Sequence, residues 1–65
     1  ELESAVREHP YHERLWYLLI EALAHSGRRV EALREASKLR RLLADVGLQV
    51  SNDIAELEQQ VLDDG

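Results

Sequence analysis

An all-α fold of four short helices is what this sequence predicts, and three observations predict it. Leu and Ala dominate the apolar residues while Phe and Cys are absent, a composition of strong helix formers with few strand-preferring side chains. Apolar residues recur at helical spacing, and no stretch alternates as a half-buried strand does. The strongest backbone punctuators, Pro10, Gly27 and Gly47, fall between the periodic stretches.

Each element follows from its own residues. The first helix, about 2–9, places Leu2, Ala5, Val6 and His9 on one stripe and stops at Pro10, before which helical backbone is disfavoured. It is too short to stand without packing. The second, about 12–26, carries Leu15, Trp16, Leu18, Leu19, Ile20, Ala22 and Leu23 around most of its circumference, leaving a polar strip of Arg14, Tyr17, Glu21 and His25. A helix so apolar must be covered on two sides. Gly27 ends it as a left-handed cap. The third, about 29–46, is expected to bury Ala32, Leu33, Ala36, Leu39, Leu43 and Val46 and to expose Glu31, Arg34, Glu35, Lys38, Arg41 and Asp45, with Gly47 breaking it. The fourth, about 52–62, opens on Ser51, Asn52 and Asp53 as cap candidates, with Asp53 and Glu56 in the form of a capping box. Ile54, Leu57, Glu58 and Val61 share one face, and the acidic end Asp63-Asp64-Gly65 opposes the helix dipole.

A repeat register joins the four. With Trp16 at the aromatic position of a 34-residue tetratricopeptide unit, Leu19, Leu23, Gly27 and Ala32 take the next characteristic positions. Ala5 and Pro10 then fall where the preceding unit wants a small residue and a terminating proline, and Ile54 and Leu57 where the following unit wants core residues. The predicted architecture is therefore a tetratricopeptide-like right-handed helical hairpin array: the second helix of one repeat, one whole repeat, and the first helix of another. Ile20 and Leu39 are larger than such repeats prefer, and Ala36 replaces a customary aromatic.

Composition bounds the function. At 65 residues the chain is a single small unit, 1–65, whose core needs support from elsewhere, and the lack of Met marks it as a segment of a longer protein. The absence of Cys excludes disulfides and thiolate metal sites and fits a cytoplasmic location. No apolar run approaches the roughly 18 residues of a membrane span. The net charge of −5 is uneven: residues 28–44 hold six bases and two acids, while 45–65 hold six acids and no base. Such a basic helix between acidic flanks implies internal charge pairing before any nucleic-acid surface.

Glu13-Arg14-Leu15-Trp16, Leu18-Leu19-Ile20, Ala22-Leu23, Gly27-Arg28, Glu31-Ala32-Leu33, Leu39-Arg40-Arg41-Leu42-Leu43-Ala44, Gly47-Leu48 and Leu57-Glu58 together resemble the bacterial transcriptional activator domain. That helical, tetratricopeptide-like module follows the DNA-binding winged helix in antibiotic-pathway regulators of actinomycetes and related bacteria. The resemblance covers about residues 5–62. It departs where the family usually has Glu-Leu-Gly-Leu and then prolines; here Asp45-Val46-Gly47-Leu48 and Val50-Ser51-Asn52-Asp53 stand instead. The resemblance implies transcription regulation, with DNA recognised elsewhere and this segment serving as a protein-interaction or dimerisation module. In some relatives the same domain adjoins ATPase or cyclase modules, which makes a scaffold or sensor segment of such a signalling protein the alternative.

No residue set suggests catalysis or a cofactor. His9-x-x-His12 is split by Pro10, so the two imidazoles do not share a helical face, and no third ligand is spaced to join them. No nucleophile with a spaced base and no glycine-rich phosphate loop exists. The basic run Arg28, Arg29, Arg34, Lys38, Arg40 and Arg41 is interrupted by Glu31 and Glu35, which are placed to pair with Arg34 and Lys38, and it has no aromatic for base stacking. Trp16 is expected in the core. The interaction candidates are Leu2 and Val6 on the first helix, Tyr11 at the turn, Arg14, Tyr17 and Glu21 on the second, and Arg34, Lys38 and Arg41 on the third. The Leu2, Ala5 and Val6 stripe needs a cover, expected from an adjacent domain of the parent chain or from a second copy as a homodimer; components of the transcription machinery are the remaining candidate partner.

Overall fold

The computed structural model describes residues 2–63 and contains four helices: α1 (Leu2–Glu8), α2 (Glu13–His25), α3 (Arg29–Asp45) and α4 (Asn52–Asp63). The all-α class and all four helices are those read from the sequence, with ends within one residue of expectation. Asp64 and Gly65 of the expected acidic tail lie outside the described residues.

Local chemistry explains where each helix stops. At the end of α2, Gly27 takes φ +78°; the Arg28 N–H donates to the Leu23 carbonyl at 2.9 Å and the Gly27 N–H to Ala24 at 3.1 Å. The end of α3 repeats this pattern, with Gly47 at φ +79°, Leu48 donating to Leu43 at 2.8 Å and Gly47 to Ala44 at 3.0 Å. Both are Schellman caps, in which a residue without Cβ reverses the backbone so that two orphan carbonyls find donors. The two caps explain why α2, α3 and α4 follow one another as tight hairpins.

Val6, Trp16, Leu19, Ile20, Leu23, Ala32, Ala36, Leu39, Leu43, Ile54, Leu57 and Val61 form the core, and among the described residues no polar or charged one is buried with them. Burying each of the large aliphatic side chains contributes roughly 1.5–3 kcal/mol. Trp16, Leu19, Leu23 and Ala32, which carry the 34-residue register, are all inside. Ala32 and Ala36 have no exposed surface. Their small side chains present α2 and its neighbours with a flat face on α3. Val46, expected in this core, is instead 52% exposed, because the helix stops at Asp45 and Val46 becomes the cap residue, turned off the helical face at φ −110°, ψ 13°. Ala22, expected on the apolar part of α2, is also exposed.

α2 lies at the centre, packing against α1, α3 and α4, while α3 also packs against α4. The backbones of α1 and α3 do not approach each other. Trp16 ties α2 to the preceding turn: its indole Nε1–H donates to the Pro10 carbonyl at 2.8 Å, satisfying the one polar group of a side chain that is 6% exposed. The expected core role of Trp16 is the observed one.

Helix α4 is held by groups from two other helices. Its cap is Ser51, whose Oγ lies 3.5 Å from the Ile54 N–H, and not Asp53, which sits two residues too late and is exposed. The Ser51 N–H donates to Glu13 Oε1 of α2 at 3.1 Å. In a capping box this acceptor is the third helical residue; here that residue is the buried Ile54, and Glu13 supplies the carboxylate from another helix. At the other end, Arg29 Nε of α3 donates to the Val61 carbonyl at 3.1 Å, placing a cation where the helix dipole of an acidic C-terminus needs one.

Candidate interaction surface

The sequence candidates divide among several concavities on the exterior of this helical core. One, of about 620 Å³, is a groove running between α1 and α3. It exists because both helices lean on α2 but not on each other. Its floor is Val6, Trp16 and Leu23, with Leu42 on one side; its walls are Glu3 and Arg7 from α1, Pro10 from the turn after it, and Glu31, Arg34, Glu35 and Lys38 from α3. Of the expected interaction residues, Val6, Arg34 and Lys38 meet here. Val6 is only 4% exposed, while Leu2 and Ala5 of the same stripe are half-buried.

A shallower recess of about 500 Å³ lies on the other flank of α1 and α2, lined by Leu2, Leu18, Glu21, Ala22 and His25. It brings Leu2 and Glu21 together, both half-buried. A cleft of about 150 Å³ separates the starts of α2 and α4 and is lined by Glu13, Arg14, Tyr17, Ser51, Asp53 and Ile54. The Arg14 guanidinium stands 5.6 Å above the Tyr17 ring centroid, a cation–π contact that holds both side chains against the helix surface. Tyr17 is half-buried and packs against the core, whereas Tyr11 is 55% exposed and lines none of these hollows. Arg41 is exposed and also lies outside all three.

The expected internal pairing of the basic helix is largely present, with one exchange of partners. Lys38 pairs with Glu35 at 2.8 Å, one turn earlier, as expected. Glu31 pairs not with Arg34 but with Arg28, which sits just before the helix and is free to fold back over the first turn. The hydrogen bond from Arg28 holds the Glu31 carboxyl below its ordinary value and raises the Arg28 guanidinium in turn; both side chains are about half exposed to water. Arg40 reaches across to α4, donating from Nε to Glu58 Oε1 at 2.8 Å, with a second contact from its terminal nitrogen. Arg28, Arg29 and Arg40 are thus occupied within the molecule. Arg7 and Arg34 have no hydrogen bond or ion pair among the described residues.

Sequence reading missed Arg7, Glu3 and Leu42 as groove residues and Glu13 as a capping group. A parallel run of α1 and α3 on either side of α2, already implied by the alternation of three hairpin-linked helices, was the available signal for the first three. Among the described residues no group of three or more His, Cys, Asp and Glu side chains could hold a metal, and His9 and His12 are both exposed. No helix among them is long and apolar enough to cross a membrane.

The family model described as the bacterial transcriptional activator domain matches residues 1–62. Two curated relatives, each named regulatory protein AfsR, from Streptomyces griseus and Streptomyces coelicolor, are 44% identical to the chain over 63 residues. That alignment takes in 95% of this chain but spans 6% of the length of each relative. No solved structure matches the chain.

Proposed function

This chain belongs to the bacterial transcriptional activator domain family, whose role is transcription regulation, and on that premise we propose that it is a non-catalytic protein-interaction or dimerisation module of a bacterial transcriptional regulator. DNA binding is supplied by a domain outside residues 1–65, and the module works in the cytoplasm. Within this reading, α1 is the closing helix of one tetratricopeptide-like repeat, α2 and α3 are a whole repeat, and α4 opens the next.

The observation that carries the reading is the family match across residues 1–62. The distribution of polar groups supports it: among the described residues the core holds no buried polar or charged side chain, and ionisable residues serve helix ends, surface pairs and groove walls. A scaffold of this kind offers surfaces and no reacting centre.

Two experiments test it. In the parent chain, excising these residues should abolish activation of a target promoter while promoter binding by the purified regulator persists; unchanged activation overturns the proposal. A parent with no DNA-binding domain, carrying a phosphate-binding loop instead, would favour the scaffold reading. Sedimentation from dilute to concentrated solution tests the dimerisation half, which a monomer throughout would remove.

A further inference from the structure

The groove between α1 and α3 has charged walls whose acids and bases are unequally occupied. Glu35 is bound to Lys38 and Glu31 to Arg28, so two of the three wall acids are already engaged. Arg7 and Arg34, by contrast, are exposed and hold no partner among the described residues; Arg34 feels the charge of Glu31 without bonding to it. Lys38 remains 60% exposed despite its pair. With Glu3 the one remaining wall acid, the unpaired wall charges are two bases against one acid, in a molecule whose net charge is −5.

The floor is apolar: Leu42 is half-buried and offers its open surface, while Trp16 and Leu23 show only their edges, at 6% and 5% exposure. The α3 wall runs from Glu31 to Leu42, three turns or about 16 Å of helix. A long open trough with an apolar floor and unpaired cations on its rims matches an amphipathic helix laid along it, apolar side down and carboxylates outward. The acidic helix of a second copy does not meet that description, because α4 already spends its apolar face, Ile54, Leu57 and Val61, inside its own chain.

We propose that the groove between α1 and α3 takes an acidic amphipathic helix of a partner protein, its Leu-type side chains on Leu42 and the exposed edges of Trp16 and Leu23 and its carboxylates against Arg7 and Arg34. This rests on the reading of the domain as an interaction module and specifies which surface is used and by what chemistry. Binding weakens as salt rises, since the paired charges stay near water.

The test is a titration of the isotope-labelled chain, followed by NMR at 0.15 M salt, with two synthetic helical peptides of about three to four turns. Both carry the same Leu stripe; one has Glu and the other Lys at its outer positions. The acidic peptide is expected to shift the Trp16 indole resonance and the amides of α1 and α3, and the double variant Arg7→Glu, Arg34→Glu to weaken it at least tenfold. Both positions are exposed, and Arg7→Gln, Arg34→Gln serves as a milder variant with an intermediate loss. Equal binding of the two peptides, no binding, or shifts confined to other surfaces overturn the proposal. Shifts that appear on concentrating the chain alone place a second copy in the groove and overturn it as well. Failure here with the promoter assay still dependent on these residues refutes the acidic helix and leaves the interaction module standing; loss of that dependence refutes the module itself.

Discussion

Glu13 and Ser51 meet across the molecule: the carboxylate at the start of α2 accepts the backbone N–H of the residue that caps α4, at 3.1 Å. The two are 38 positions apart, yet together they reproduce the reciprocal logic of a capping box, with Ser51 Oγ facing the Ile54 N–H. The parallel alignment of α2 and α4 is thereby pinned at one end, and the bond between Arg29 and the Val61 carbonyl holds α4 at the other.

Glu13→Ala should lower stability by about 0.5–1.5 kcal/mol, the net value of one exposed charge-assisted hydrogen bond. Glu13→Gln keeps an acceptor oxygen and should lose less. Thermal unfolding resolves the difference, since 1 kcal/mol moves the midpoint of a chain this size by about 4–8 °C; equal midpoints for wild type and Glu13→Ala would show that Glu13 does not cap α4.

Trp16→Phe keeps most of the buried ring but deletes the donor to the Pro10 carbonyl. A cost of about 1–2 kcal/mol is expected, against about 3–5 kcal/mol for Trp16→Ala, which also leaves a cavity. Urea titration of both variants checks the order; a larger loss for Phe than for Ala refutes the packing described.

Gly27→Ala and Gly47→Ala should each cost about 1 kcal/mol, and by similar amounts. Nothing lies within 4 Å of the Cβ that either change would add, so the penalty comes from left-handed backbone alone. Strongly unequal losses in denaturant would point to a tertiary role for one of them.

Ala32→Trp places a large side chain where the native residue has no exposed surface. Overpacking of this kind costs about 1–3 kcal/mol or more. An unchanged melting temperature would contradict the placement of Ala32 at the helix crossing.

Glu31 should titrate below an ordinary glutamate, and Arg28→Gln should return it to the usual value, as side-chain NMR will show. A carboxyl depressed in the folded state adds stability that is fully present above its unfolded pKa and is lost as pH falls through its folded one. With both partners in water the contribution is small and should fade in high salt.

Much of this molecule is legible residue by residue. The three-and-four spacing of Trp16, Leu19, Ile20 and Leu23 marks the buried face of α2 because helical side chains repeat every 3.6 residues, and the glycines mark the stops because only they adopt positive φ without strain. Val46 was misread for a local reason: the apolar pattern extends one residue further than the helix does, since the cap turns the chain before the pattern ends. Asp53 and Glu56 were misread because their spacing fits a capping box if the helix begins two residues later, and the presence of Glu13 beside Ser51 settles the start differently. The interaction candidates were chosen as exposed side chains on separate helices, and periodicity does not say which helix faces form a common wall.

The sequence by itself determined the helices, their glycine caps and the burial of Trp16 and Ala32, because each depends on backbone preference and side-chain spacing within one turn or two. Only the tertiary structure decided that Arg7 and Arg34 border the same groove, that Arg28 and not Arg34 takes Glu31, and that Glu13 and Arg29 hold the two ends of α4. Those relationships depend on how helices far apart in the chain lie across α2, which the packing of their apolar faces sets and no local spacing records.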